Sequence, residues 1–206
     1  MSLIILYLTN MLGYIIVASP FYLIGRIIFV KKKKRQLILK NEITLLLFAM
    51  YIIGLASQTV IPQWSMGIYS NTREFYFNVN LSNTISTMNI IPFHTIYQYF
   101  FETNTNVDYW GSVSLLNLTA NTLLFLPLGF LLPLIWNKWN SFKKFLYLVL
   151  TVTISVEILQ LFIGRSTDID DVILNTFGAI MGYGIFSLLK WIIARTSFNK
   201  TPLKNF

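Results

Sequence analysis

Apolar runs long enough to cross a bilayer recur along the chain, at residues 3–28, 43–61, 118–136, 145–163 and 172–193. A spanning helix takes ~20 residues, so the pattern predicts an all-α membrane protein with five transmembrane helices. Ser19-Pro20 interrupts the first run, and a kink is expected there because proline removes a backbone donor. Pro127, Gly129 and Pro133 interrupt the third, freeing backbone groups that a neighbouring helix or water has to satisfy. Such a break serves either to pack helices or to line a site. Between the second and third runs lies a long, aromatic loop, residues 62–117. Within it Phe75, Phe77, Val79 and Leu81 alternate with Tyr76, Asn78 and Asn80, which predicts a short strand with one buried face. Pro92 biases Ile91 toward an extended backbone. A helix over about 94–102 then places Tyr97 and Phe101 on one side, and so aromatic a segment is expected to lie on the membrane surface or dip into it.

Composition agrees with this pattern. Of 206 residues, 55% are hydrophobic and 12% charged, against about 25% charged in a soluble domain. The first apolar run has neither a basic leader nor a small-residue cleavage site, so it reads as a retained helix. A net charge of +8 would point a soluble chain to nucleic acid, but its placement overrides that reading. All but Arg73 and Arg165 of the 16 basic residues lie in or beside the first connection, after the third run, or in the tail. Positive charge stays cytoplasmic. A multi-pass protein of the cell membrane is therefore expected, with its N-terminus outside and its C-terminus inside. The 62–117 loop and the 164–171 turn then both face outward. The run Lys31, Lys32, Lys33, Lys34 is a topology signal with some attraction to anionic lipid, and no nucleic-acid partner is implied. With no cysteine, the chain has no thiol chemistry to read.

Against this background the polar residues of 153–184 matter most. Glu157, Gln160 and Gly164 fall three and four apart on one helical face. After the turn, Asp171, Asn175, Gly178 and Gly182 repeat in the same way, and Asn117 and Asn121 share a face of the third run. At ~1.5 Å per residue, Glu157 lies ~10 Å inside the outer end of its helix, Asn175 ~6–8 Å and Asn121 ~6 Å, so the three meet at similar depth. A carboxylate at the bilayer centre costs at least ~2.5–3.5 kcal/mol, so Glu157 must be paired, protonated or near water. Arg165 is the nearest cation in sequence. The expected site is an outward-facing polar pocket of Glu157, Gln160, Arg165, Asp168, Asp171, Asn175 and Asn121. Plainer readings compete with it. Asp168, Asp170 and Asp171 suit the first turn of a helix. As a metal cluster they are incomplete, and neither metal nor other cofactor is expected. Gly178 and Gly182 make a groove for close helix packing. His94, the single histidine, is more simply a hydrogen-bonded loop residue than a base. Glu157 has the weakest structural explanation.

Taken in order, several pieces resemble the VanZ-like family of small bacterial membrane proteins, named for a teicoplanin-resistance protein. They are Asn89-Ile90-Ile91-Pro92-Phe93, the run from Asn121 through FLPLGFLLP, the E-x-x-Q from Glu157 to Gln160, and R-x-x-D-x-D-D-x3-N-x-x-G from Arg165. The resemblance covers about 43–193 of a single membrane domain, 1–206. An extra helix and basic loop, 1–42, precede this core, and a basic cytoplasmic tail, 194–206, follows it. The resemblance implies a role in resistance to lipid-tailed glycopeptides. It puts the family's polar signature on Glu157, Gln160, Arg165, Asp168, Asp171 and Asn175, brings Asn89 to the pocket, and carries no catalytic assignment. Three functions follow. One is a binding protein whose pocket, among membrane lipids, engages a lipid-linked cell-wall headgroup or a lipoglycopeptide. Another is an intramembrane enzyme on a polyprenyl-phosphate-type lipid, with Glu157 or His94 as base and Arg165 as phosphate clamp. The third is a scaffold using the glycine groove. No nucleophile–base pair or complete metal site is legible, so binding ranks first.

Overall fold

The computed structural model describes residues 3–33, 38–62, 64–79, 88–102 and 110–199. Its helices are α1 (Leu3–Lys33), α2 (Leu39–Thr59), α3 (His94–Phe101), α4 (Trp110–Ile135), α5 (Phe142–Phe162) and α6 (Ile169–Asn199). All except the short α3 are long and apolar enough to cross a membrane. The short strands are β1 (Trp64–Ile68), β2 (Phe75–Val79), β3 (Met88–Asn89) and β4 (Thr167–Asp168). Lys34, Arg35, the predicted strand end at Asn80 and Leu81, and the tail from Lys200 lie outside the described residues.

Two helices, α4 and α6, form the spine. They approach so closely that a Cβ on Gly178 would stand 1.9 Å from the Thr122 carbonyl oxygen, and one on Gly182 2.0 Å from that of Leu126. From the other side, a Cβ on Gly129 would stand 1.8 Å from the carbonyl oxygen of Ala179. Lipid supplies no hydrophobic drive between helices, so backbone-to-backbone packing through small residues takes its place. Gly178 and Gly182 are thus the packing groove expected of them, and Gly129 is its counterpart. α2 and α5 complete the bundle around fully buried Phe125, Phe145, Val149 and Ala179. Tyr183 stacks on Phe145 at 4.5 Å between ring centroids and donates its hydroxyl to the Asn140 carbonyl at 2.5 Å.

The interruption expected at Pro127 and Pro133 does not break α4, which runs through both, as α1 runs through Pro20. In the turn ahead of Pro127, the Leu124 carbonyl accepts a 2.9 Å hydrogen bond from the Tyr51 hydroxyl of α2. A neighbouring helix thus supplies a bond where proline disturbs the ladder. α1 packs on α2, where Gly54 faces Met11 and Ile15. Arg26 grips Glu42 with two hydrogen bonds of 2.7 Å. Arg26 therefore ties two helices together as well as adding to the basic cluster.

The predicted strand is present as β2, paired antiparallel with β1. The expected buried face is missing from it, however, and Asn78 is as exposed as the apolar residues. Phe75, Phe77 and Val79 are exposed, whereas Tyr76 is partly buried. Alternation marks two faces but not which one is covered, and among the described residues no second layer packs on this ribbon.

A carboxylate cluster where three connections meet

α5 closes with a left-handed Gly164, φ 74°. The Arg165 N–H reaches the Gln160 carbonyl at 3.0 Å and the Gly164 N–H reaches that of Leu161 at 3.3 Å. This is the paired C-terminal bonding for which glycine is favoured, and it turns the chain back sharply. β4 then pairs in parallel with β3, setting Asn89 opposite Asp168. α6 starts immediately after, so Asp170 and Asp171 fall on its first turn and Asp168 stands just ahead of it.

Each of these acids has a different partner. Asp168 Oδ1 accepts the Asp170 N–H at 2.9 Å, in the manner of a helix N-cap, and Asn89 Nδ2 at 3.0 Å. Its other oxygen accepts the Thr95 hydroxyl. Asp170, only 1% exposed, accepts the Phe93 N–H at 2.5 Å and the Ile96 N–H at 3.0 Å. Asp171 accepts from the Asn121 amide on α4. One acidic turn therefore ties α3, β3 and α4 to the start of α6.

Glu157 lies just below this turn, 4% exposed. Its Oε2 accepts the Asp168 N–H at 3.1 Å, while Oε1 is buried without a hydrogen-bond partner. Asn175, 3% exposed, likewise keeps a buried and unpartnered Oδ1. One turn earlier on α5, the Thr153 hydroxyl lies 3.3 Å from that of Thr176.

Gln160 and Arg165 serve the end of α2. Gln160 Nε2 donates to the Thr59 carbonyl at 3.2 Å, and Arg165 Nη1 donates to those of Gln58 and Thr59 at 2.7 and 3.2 Å. A cation there suits the negative end of a helix. Arg165 thus binds backbone carbonyls of α2, and Glu157 Oε2 binds the Asp168 N–H.

The position of Asn121 along its helix also changes. α4 begins at Trp110, so Asn121 lies ~16 Å along it rather than ~6 Å. It still meets Asp171, because the first turns of α4 rise beside α3, where Asn117 Nδ2 donates to the Tyr99 hydroxyl at 3.3 Å. His94 is exposed at the start of α3, and among the described residues no hydrogen bond joins it to Glu157.

The structure thus brings Asn89, Asn121, Glu157, Asp168 and Asp171 into one bonded cluster, with Gln160 and Arg165 on its α2 side. It adds Thr95 and Asp170, which the predicted pocket omits. A sequence signal for Asp170 existed. The residue ahead of α3 is Phe93, which has φ 66° and gives no side-chain cap. Uncapped N–H groups need a remote acceptor.

A family model described as VanZ/LLP1 matches residues 42–190 of the chain. Comparison with curated proteins and with solved structures finds no match.

Proposed function

The chain belongs to the VanZ/LLP1 family, and on that premise we propose that its carboxylate cluster is an outer-leaflet site for a lipid-linked headgroup or a lipid-tailed glycopeptide. The protein is a multi-pass membrane protein of this type. In this reading it holds such molecules at the surface of the bacterial membrane and limits drug access to lipid-linked cell-wall precursors. It thereby contributes to teicoplanin-class resistance.

The unpartnered acceptors on Glu157 and Asn175 carry the proposal. A buried acceptor without a donor costs ~1–3 kcal/mol, and a headgroup bearing hydroxyl or amine donors would remove that cost. Exposed Tyr97, Phe100 and Phe101 on the adjoining α3, with Phe93 just ahead of it, give an acyl tail an apolar surface. Catalysis on a polyprenyl phosphate ranks lower, because Glu157 and Arg165 spend hydrogen bonds on backbone groups.

The site has to face outward. Ser70 and Ser166 are exposed on the cluster's side of the helices, and Asn137 is exposed at the opposite end. Single cysteines at Ser70 and Ser166 should react with an impermeant thiol reagent on intact cells, and one at Asn137 only after lysis. Labelling of the Asn137 variant from outside would put the cluster in the wrong leaflet.

Drug response tests the function itself. Teicoplanin-like drugs carry an acyl tail that enters the outer leaflet, and vancomycin does not. Expression in a susceptible Gram-positive host should raise the inhibitory concentration of teicoplanin several-fold and leave that of vancomycin nearly unchanged. Asp171→Ala at unaltered membrane abundance should remove the effect. An equal rise for both drugs would mean a general change in the wall, and no rise for either would sink the resistance reading.

A further inference from the structure

One face of the β1–β2 hairpin is built wholly from apolar side chains. The register sets Trp64 opposite Val79, Met66 opposite Phe77 and Ile68 opposite Phe75. Alternate residues of a strand share a face, so all six stand together. Every one is exposed, from 43% at Trp64 and Val79 to 68% at Phe75. The other face carries Gly67, Tyr76 and Asn78, and the connecting tip reads Ser70-Asn71-Thr72-Arg73-Glu74. A contiguous apolar patch with a polar reverse marks an interaction surface.

Its level and its surroundings identify the occupant. Trp64 Nε1 donates to the Tyr14 hydroxyl of α1, which fixes the hairpin's base against that helix. From Tyr14 to Val30, the last residue before the lysines, α1 climbs ~24 Å, about one turn short of the ~30 Å hydrocarbon layer. α2, running from Leu39 to Thr59 just ahead of the hairpin, covers ~30 Å. The base of the hairpin therefore sits at the membrane boundary opposite the lysines, the level where tryptophan and tyrosine concentrate. Beside Tyr14, α1 turns Leu12, Ile16 and Val17 outward, all more than half exposed. The apolar face of the hairpin continues this lipid-facing side of α1.

We propose that the β1–β2 hairpin is an interfacial anchor, its Trp64, Met66, Ile68, Phe75, Phe77 and Val79 face sunk among the acyl chains of the leaflet opposite the lysines. The polar tip stays in water, as in other segments that lie in a membrane surface without crossing it. This holds whatever the carboxylate cluster binds.

The absence of cysteine makes the test direct. The full-length chain carrying Phe77→Cys, Met66→Cys or Asn78→Cys is labelled with a nitrobenzoxadiazole thiol probe and reconstituted into phosphatidylcholine vesicles. The Phe77 and Met66 probes should be quenched by acyl-chain spin-labelled lipid and protected from iodide present on both sides of the membrane. The Asn78 probe, on the opposite face, should show the reverse. Iodide quenching at Phe77 and Met66 as strong as at Asn78 overturns the proposal. Protection from both quenchers, lost as the protein is diluted in lipid, would put a second copy on this face and overturn it equally.

Discussion

Gly182→Leu should leave little folded protein in the membrane. A single Cβ there would stand 2.0 Å from the Leu126 carbonyl oxygen and 3.0 Å from the Phe130 backbone nitrogen. Those atoms belong to the backbone of α4 and cannot swing aside, so α6 has to separate from α4. Phe125, Leu128 and Ala179 would then lose close packing that lipid does not replace. We expect a loss of about 4 kcal/mol or more, in the range reserved for gross overpacking. Thermal unfolding in detergent and abundance in the membrane report it. Gly184→Ala is the matched control, since nothing lies within 4 Å of its Cβ position. That change should be neutral or gain up to ~1 kcal/mol from helix propensity. A Gly182→Leu protein with unchanged melting would show that the two backbones are not apposed.

Asp170→Ala should release α3 while the spanning helices persist. The Asp170 carboxylate is the acceptor for the Phe93 and Ile96 N–H groups, and Phe93 provides no cap of its own. Removing it strands two donors and a 1% exposed position, at a cost of about 3 kcal/mol for a charge-assisted contact. Limited proteolysis in detergent should cut within 88–102 much faster than in the unmodified protein. Asp171→Ala removes one bond to Asn121 and leaves the α3 donors satisfied, so cleavage there should change little. Equal protection of α3 in Asp170→Ala would mean that its aromatic contacts, not this carboxylate, hold it in place.

The two predictions rest on features of different visibility. Gly178 and Gly182 stand four apart in an apolar run, and lipid-spanning helices use that spacing for close approach. Their role was open to a reading of the chain alone. Gly129 was not, because beside Pro127 and Pro133 it resembled part of a break. Only its position against Ala179 identifies it as the second half of the groove. Asp170 was visible as an acid ahead of an apolar run, but its partners lie 77 and 74 residues away.

The five spans and α3 were legible because their causes are local. Lipid requires each crossing segment to satisfy its own backbone and to stay apolar for ~20 residues, which leaves a mark in any short window. Helical periodicity likewise put Glu157 with Gln160, and Asp171 with Asn175, on shared faces. Where each side chain points was settled across long stretches of chain. Asp168 reaches Asn89, 79 residues earlier, and Arg165 turns to the α2 carbonyls, 106 and 107 residues earlier. The continuity of α4 past its prolines and the exposed face of β2 have the same origin. A hydrogen bond goes to whichever group folding brings within ~3 Å, and a face is buried only when another element arrives to cover it.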